Sequence, residues 1–287
     1  MGQALLPLNL KKHKEFIPCI TGSIDGPKEI VEATELWYKV DGEVLHLSNK
    51  DLGGYTQNED YEGWNWGGGF SEATNFTRVI IENEIVPLST YDWFNSFDKL
   101  TEIENIDKLN TSKVTNMSCM FYNCSSLENL DVSGFDTISV TNMHSMFDGC
   151  EKLTNLDVSG FDTRNVTDMT SMFWNCAGLT SLDVTRFDTS NVNNMNSMFI
   201  YCSGLTSLDV SDFDTSNVTN MYMMFRECTG LTELDLTNFN TKKIGESIYD
   251  KMGMFRNVTC TVYVGFDWTL TPADTEYTAN GGIFADK

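Results

Sequence analysis

The sequence predicts an α/β repeat: a right-handed solenoid with a parallel β-sheet face, short helices on the other side and a small β-rich N-terminal cap. Three columns of residues predict it. Cys124, Cys150, Cys176, Cys202 and Cys228 recur every 26 residues, and so do Phe135, Phe161, Phe187, Phe213 and Phe239. Met117, Met143, Met169, Met195 and Met221 keep the same interval. Equal spacing in three independent columns marks stacked units, none of which can bury its apolar face alone.

The elements follow from one unit, L-T-x-L-D-V-S-x-F-D-T-S-N-V-T-N-M-x-S-M-F-x-x-C-x-x. Leu205, Leu208, Val210 and Phe213 bracket an L-x-V alternation, which predicts a strand. Val218, Met221, Met224 and Phe225 fall at offsets of three, three and one, the face of a short helix. Asp214-Thr215-Ser216-Asn217 lies between them and supplies turn and N-cap side chains. Neighbouring strands would then lie about 4.8 Å apart in one parallel sheet.

Degenerate units extend the array. Upstream, Leu100, Ile103, Ile106, Leu109 and Val114 repeat the theme with one residue inserted. Earlier still, Phe76, Val79 and Ile81 read as a strand, with Trp93 and Phe94 in the helix slot. Downstream, Met254-Phe255 recurs four residues late and Val262-Tyr263-Val264 reads as a closing strand. The repeat region is therefore 76–264, with eight strands. Residues 1–75 leave the period. There Leu36 to Val40, Asp41-Gly42 and Val44 to Leu47 predict a hairpin, so the segment is read as the cap. Residues 265–287 read as a polar tail, a cover or a linker.

Charge excludes several functions. Lys+Arg number 19 against 41 Asp+Glu, a net charge of −22 over 287 residues, which repels nucleic acid and anionic lipid. Cationic partners and Ca²⁺ remain open. No apolar run is long enough to insert in a membrane. The N-terminus, MGQALLPLNLKKHKEFIPC, places its basic cluster after a broken apolar run, the reverse of a signal peptide. Eight cysteines are too sparse for a disulfide scaffold.

The cysteine column reads as a ladder of buried free thiols. No C-x-x-C occurs and His13, His46 and His144 are scattered, so no metal or cofactor is expected. Asp131, Asp157, Asp183, Asp209 and Asp235 should form an exposed column, with neighbours repelling by about 1 kcal/mol in water. Hydroxyls of Ser133, Ser159, Thr185, Ser211 and Thr237 can relieve this, and bound Ca²⁺ is the alternative. Asp136, Asp162, Asp188, Asp214 and Asn240 read as turn formers. Nucleophile elbow, P-loop, H-E-x-x-H and Rossmann motifs are all missing, so no catalytic residues are nominated and an enzyme is not expected.

Recognition should use positions that differ between copies. The pairs before each cysteine run Tyr122-Asn123, Asp148-Gly149, Trp174-Asn175, Ile200-Tyr201 and Arg226-Glu227. Tyr122, Trp174 and Tyr201, with Arg226, are candidates for an exposed row that binds protein or glycan. Drift at unconstrained positions is the competing explanation. Trp64 and Trp66, beside the Gly67-Gly68-Gly69 run, are the second candidate group, and packing over the first repeat is equally open to them.

Units such as FDTSNVTNMYMMFRECTGLTELDL resemble the BspA-like leucine-rich repeats of bacterial surface proteins, in the 26-residue subtype filed as a lipoprotein family of unknown function. The similarity covers about residues 76–264. The resemblance implies a leucine-rich solenoid displayed at a bacterial cell surface, adhesion to host or matrix molecules, and no catalytic residues. Such proteins usually carry an export signal, which this N-terminus does not display. A structural virion component, a phage decoration or fibre protein, is the alternative.

Overall fold

A computed structural model describes residues 33–54, 56–58, 75–244, 253–265, 268 and 283–285. The chain divides into two units, Met1–Val31 and Glu32–Lys287, and the first lies outside the described residues.

Two strands, β1 (Leu36–Asp41) and β2 (Val44–Ser48), form the hairpin, with Tyr38 opposite Leu47 and Asp41 opposite Val44. The loop falls on Gly42-Glu43, and Gly42 takes φ 61°, the left-handed value that tight hairpins require. Alternation buries Leu45 and Leu47 on one face. Antiparallel β3 (Thr56–Asn58) joins the other side of β1. On the inner side, β2 runs parallel to β4 (Arg78–Ile81), and β4 to β5 (Glu102–Glu104). The result is a mixed sheet ordered β3-β1-β2-β4-β5. Further along the chain, β6 (Glu233–Leu236), β7 (Thr261–Val264) and β8 (Ile283–Ala285) make a parallel sheet. The segment around Val262 is thus an interior strand and closes nothing.

The α/β class is overturned. Among the described residues there is no α-helix; Ile106–Lys108 form a 3-10 turn. The stretches predicted as helices are chains of tight turns, and their amides show why. Met117, Cys119, Phe121 and Asn123 donate to the carbonyls of Asn142, His144, Met146 and Asp148 in the next repeat, at 2.6–3.0 Å. Met120, Tyr122 and Cys124 donate three residues back, at 3.1–3.3 Å. The Ser118 amide is taken by Asn116 Oδ1 at 2.9 Å. Every amide from 117 to 124 is satisfied without one helical bond to the fourth residue back.

Left-handed residues make this geometry possible. Cys119 and Asn123 have φ 55° and 56°, and Ser145, Ser171, Asn175, Ser197, Tyr201, Met223 and Glu227 repeat the pattern at four-residue spacing. Each costs about 1–2 kcal/mol for a residue with a Cβ. Cross-repeat hydrogen bonds and the burial of Met and Phe side chains offset that cost. The predicted continuous sheet is also missing from the central repeats. The L-D-V side carries the isolated bridge Asn129–Asn155, whereas Asn116, Asn142, Asp168, Asn194 and Asn220 bridge in succession on the turn side.

Between the turns lies one apolar core. Phe94, Phe121, Phe147, Phe173, Phe199, Phe225 and Phe255 stack as a ladder, with centroids 5.5–6.2 Å apart and planes within 24°. The Val, Leu and Met columns surround them. Each thiol of the cysteine column donates to the Phe carbonyl of the preceding repeat, as Cys150 does to Phe121 at 3.2 Å. Buried Thr137, Thr163 and Thr189 donate to carbonyls of the following repeat, at 3.0–3.1 Å. Gly204 lies so close to the preceding repeat that a Cβ would sit 2.4 Å from the Ala177 carbonyl oxygen.

Candidate functional site

Packing fixes the Met, Phe, Cys and Leu columns, so variation is confined to side chains that leave the core. The position two before each cysteine carries Tyr122, Asp148, Trp174, Ile200 and Arg226. Cross-repeat bonds hold these residues in register, since Asn123 N–H reaches the Asp148 carbonyl at 2.6 Å and Gly149 N–H the Trp174 carbonyl at 2.8 Å. Tyr122 is 37% exposed and Trp174 half-buried, and neither ring stacks on another among the described residues.

The four residues of the predicted row do not form one continuous row. Ile200 is buried and interrupts the column. Tyr201 belongs to the adjacent column, at φ 62°. Arg226 holds its guanidinium carbon 5.9 Å from the Tyr201 ring centroid and donates to Met223 Sδ at 3.2 Å, with Glu227 at 3.7 Å. Tyr201 and Arg226 are therefore engaged with each other. Tyr122 and the half-buried Trp174 stand two repeats apart, and Tyr201 is as exposed as Tyr122. Trp64 and Trp66 lie outside the described residues.

Asp148, between these rings, was legible in the same variable column but was not nominated. It is half-buried, and Ser145 Oγ donates to its Oδ2 at 3.1 Å. Ser145 Oγ also lies 3.4 Å from His144 Nε2. Burial pushes the Asp148 carboxyl up to about 7, because desolvation outweighs the single hydroxyl bond. Its charge in turn raises the Tyr122 phenol, with burial adding to the effect.

The other acidic columns are internally satisfied. Asp131 Oδ1 accepts the Ser133 hydroxyl at 2.6 Å and its amide at 3.0 Å, and Asp157, Asp183, Asp209 and Asp235 repeat the arrangement with Ser159, Thr185, Ser211 and Thr237. Those hydroxyl and amide bonds hold Asp131, Asp157, Asp183 and Asp209 below the usual carboxylate range. Each carboxylate is thus bonded to a hydroxyl two residues on. Among the described residues no group of three or more His, Cys, Asp or Glu is arranged to hold a metal ion. The turn-forming aspartates cap amides two residues on, as Asp214 Oδ1 does for Ser216 at 2.8 Å. Shallow hollows of about 300 Å³ separate successive acidic side chains, such as Asp209 and Asp235.

Cys124, Cys150, Cys176, Cys202 and Cys228 are free thiols. Burial raises the thiols of the column, that of Cys202 to about 12. No described helix is long and apolar enough to cross a membrane.

Among known families, residues 91–182 and 177–261 match one described as "Mycoplasma protein of unknown function, DUF285". No curated protein and no solved structure matches the chain.

Proposed function

We propose that this chain, which belongs to the DUF285 family through more than half of its length, is a non-catalytic recognition module that binds protein or glycan across an exposed face. One observation carries the reading: packed columns are repeated almost unchanged, while the positions before the cysteines vary and carry the exposed Tyr122 and the half-buried Trp174. A packed column cannot vary without a cavity costing several kcal/mol, about 2–5 for a large apolar side chain, so recognition falls to what the turns display. The 26-residue units are read as BspA-like. With that reading goes display at a bacterial cell surface, where adhesion to host or matrix molecules would use such a face.

Beads carrying the full chain, applied to immobilised matrix proteins and to a glycan array, test the proposal. Tyr122→Ala with Trp174→Ala should weaken attachment while the circular dichroism spectrum is unchanged. Retained attachment in that variant, together with loss in Asp183→Ala and Asp209→Ala, would move the site to the acidic side and refute the reading.

A further inference from the structure

We infer that Tyr122, Asp148 and Trp174 form a strip for a neutral β-linked glycan chain lying along the repeat axis, an inference that rests on the recognition reading above. Tyr122 and Trp174 occupy the same position two repeats apart. The adjoining phenylalanines advance by 5.7 Å per repeat, which sets the two positions about 11 Å apart. Equatorially linked pyranoses form a flat ribbon whose C–H faces are apolar and whose hydroxyls lie at the edge. Two rings at that distance, one exposed and one half-buried, can lie under alternate sugars of such a ribbon, with a further sugar over the repeat between them.

That middle repeat supplies the polar contact. Asp148 stands between the rings with the Ser145 hydroxyl on its Oδ2, and burial leaves the carboxylate poorly hydrated. A sugar hydroxyl donating to it would supply a hydrogen bond that burial has taken from it. Beside it, Gly149 is buried against Asn123, whose Cα lies 3.1 Å from where a Cβ would stand, while Asn175 is tied to Glu151 at 2.8 Å.

Charge and shape select the class. With a net charge of −22 and a carboxylate in the strip, sulfated or carboxylated glycans are repelled and a neutral chain is favoured. A protein partner would be expected at a broad apolar patch with an Arg or aromatic anchor at its centre. Here the exposed large apolar side chains, Leu52, Leu88 and Ile138 among them, are scattered along the sequence, and Arg226 is turned onto Tyr201.

Calorimetric titration of the full chain with cellohexaose, chitohexaose, maltohexaose and glucose tests this. At least one β-linked hexaose should bind, whereas the α-linked hexaose and the monosaccharide should not. At pH 8, where Asp148 is ionised, Tyr122→Ala and Trp174→Ala should each weaken binding by about tenfold, and Asp148→Asn by several-fold, with unchanged circular dichroism spectra. Equal binding of maltohexaose, or unaltered binding in all three variants, would overturn the strip. If no oligosaccharide binds at millimolar concentration but Tyr122→Ala and Trp174→Ala abolish attachment to an immobilised protein, the glycan inference fails and the recognition reading stands. If the variants leave every attachment unchanged, both fail.

Discussion

Removing one ring from the phenylalanine ladder tests whether neighbouring repeats are held by the contacts described. Phe173 is fully buried, with its centroid 5.7 Å from Phe147 and 5.8 Å from Phe199, and with interplanar angles of 6° and 5°. In Phe173→Ala the lost burial and the residual cavity cost about 3–5 kcal/mol. Part of that loss is the two ring contacts, each worth about 0.5–1 kcal/mol beyond area. Phe173→Leu keeps most of the apolar volume and should cost only about 1–2 kcal/mol. Because each repeat contacts chiefly its neighbours, the damage should be local. Urea unfolding followed by circular dichroism would give the magnitude, and hydrogen exchange would locate it. The Phe173 amide, which donates to Met198, and the Phe147 amide, which donates to Met172, should lose protection first. A loss below about 1 kcal/mol in Phe173→Ala, or a loss of protection spread evenly along the chain, would refute the nearest-neighbour account.

Three further outcomes follow from the same geometry. With its thiol at about 12, Cys202 at pH 8 should hold about 1,000-fold less thiolate than an ordinary cysteine. Alkylation of the buried column should therefore wait for denaturation, and mass spectrometry should find no disulfide between neighbouring repeats. Asp148 has a raised folded pKa, so protonation stabilises the fold below the unfolded carboxyl value of 3.8, and this contribution is lost as pH rises through about 7. Asp148→Asn should accordingly raise the melting temperature at pH 8 and leave it unchanged at pH 3. In Gly204→Ala the new methyl would strike the backbone oxygens of Ala177 and Leu179, now 2.4 and 2.6 Å from its place, and about 1–3 kcal/mol of stability should be lost in chemical denaturation.

The hairpin was legible because its signals are local: alternation over Leu36–Asp41 and Val44–Ser48, and a glycine at the left-handed position between them. Candidate binding positions were legible as a column, since variation among fixed columns needs only the sequence. Their grouping was not. Nothing in Ile200-Tyr201 reveals that the isoleucine turns inward, or that Arg226 from the following repeat sets its guanidinium carbon 5.9 Å from the tyrosine ring. Both depend on contacts between residues 25 or more positions apart.

The sequence alone determined the 26-residue period, the identity of the core columns, the aspartate–hydroxyl pairs and the repulsion of anionic partners by a charge of −22. Tertiary structure decided what the Met-x-x-Met-Phe stretch becomes. Offsets of three, three and one place apolar side chains on one side of a helix, and equally on one side of successive turns with a left-handed residue at every fourth position. Periodicity cannot separate the two, because it records where side chains point and not where amides find their acceptors. Here the acceptors lie in the next repeat, 25 residues on, so the choice between helix and turn chain is made only when the repeats stack.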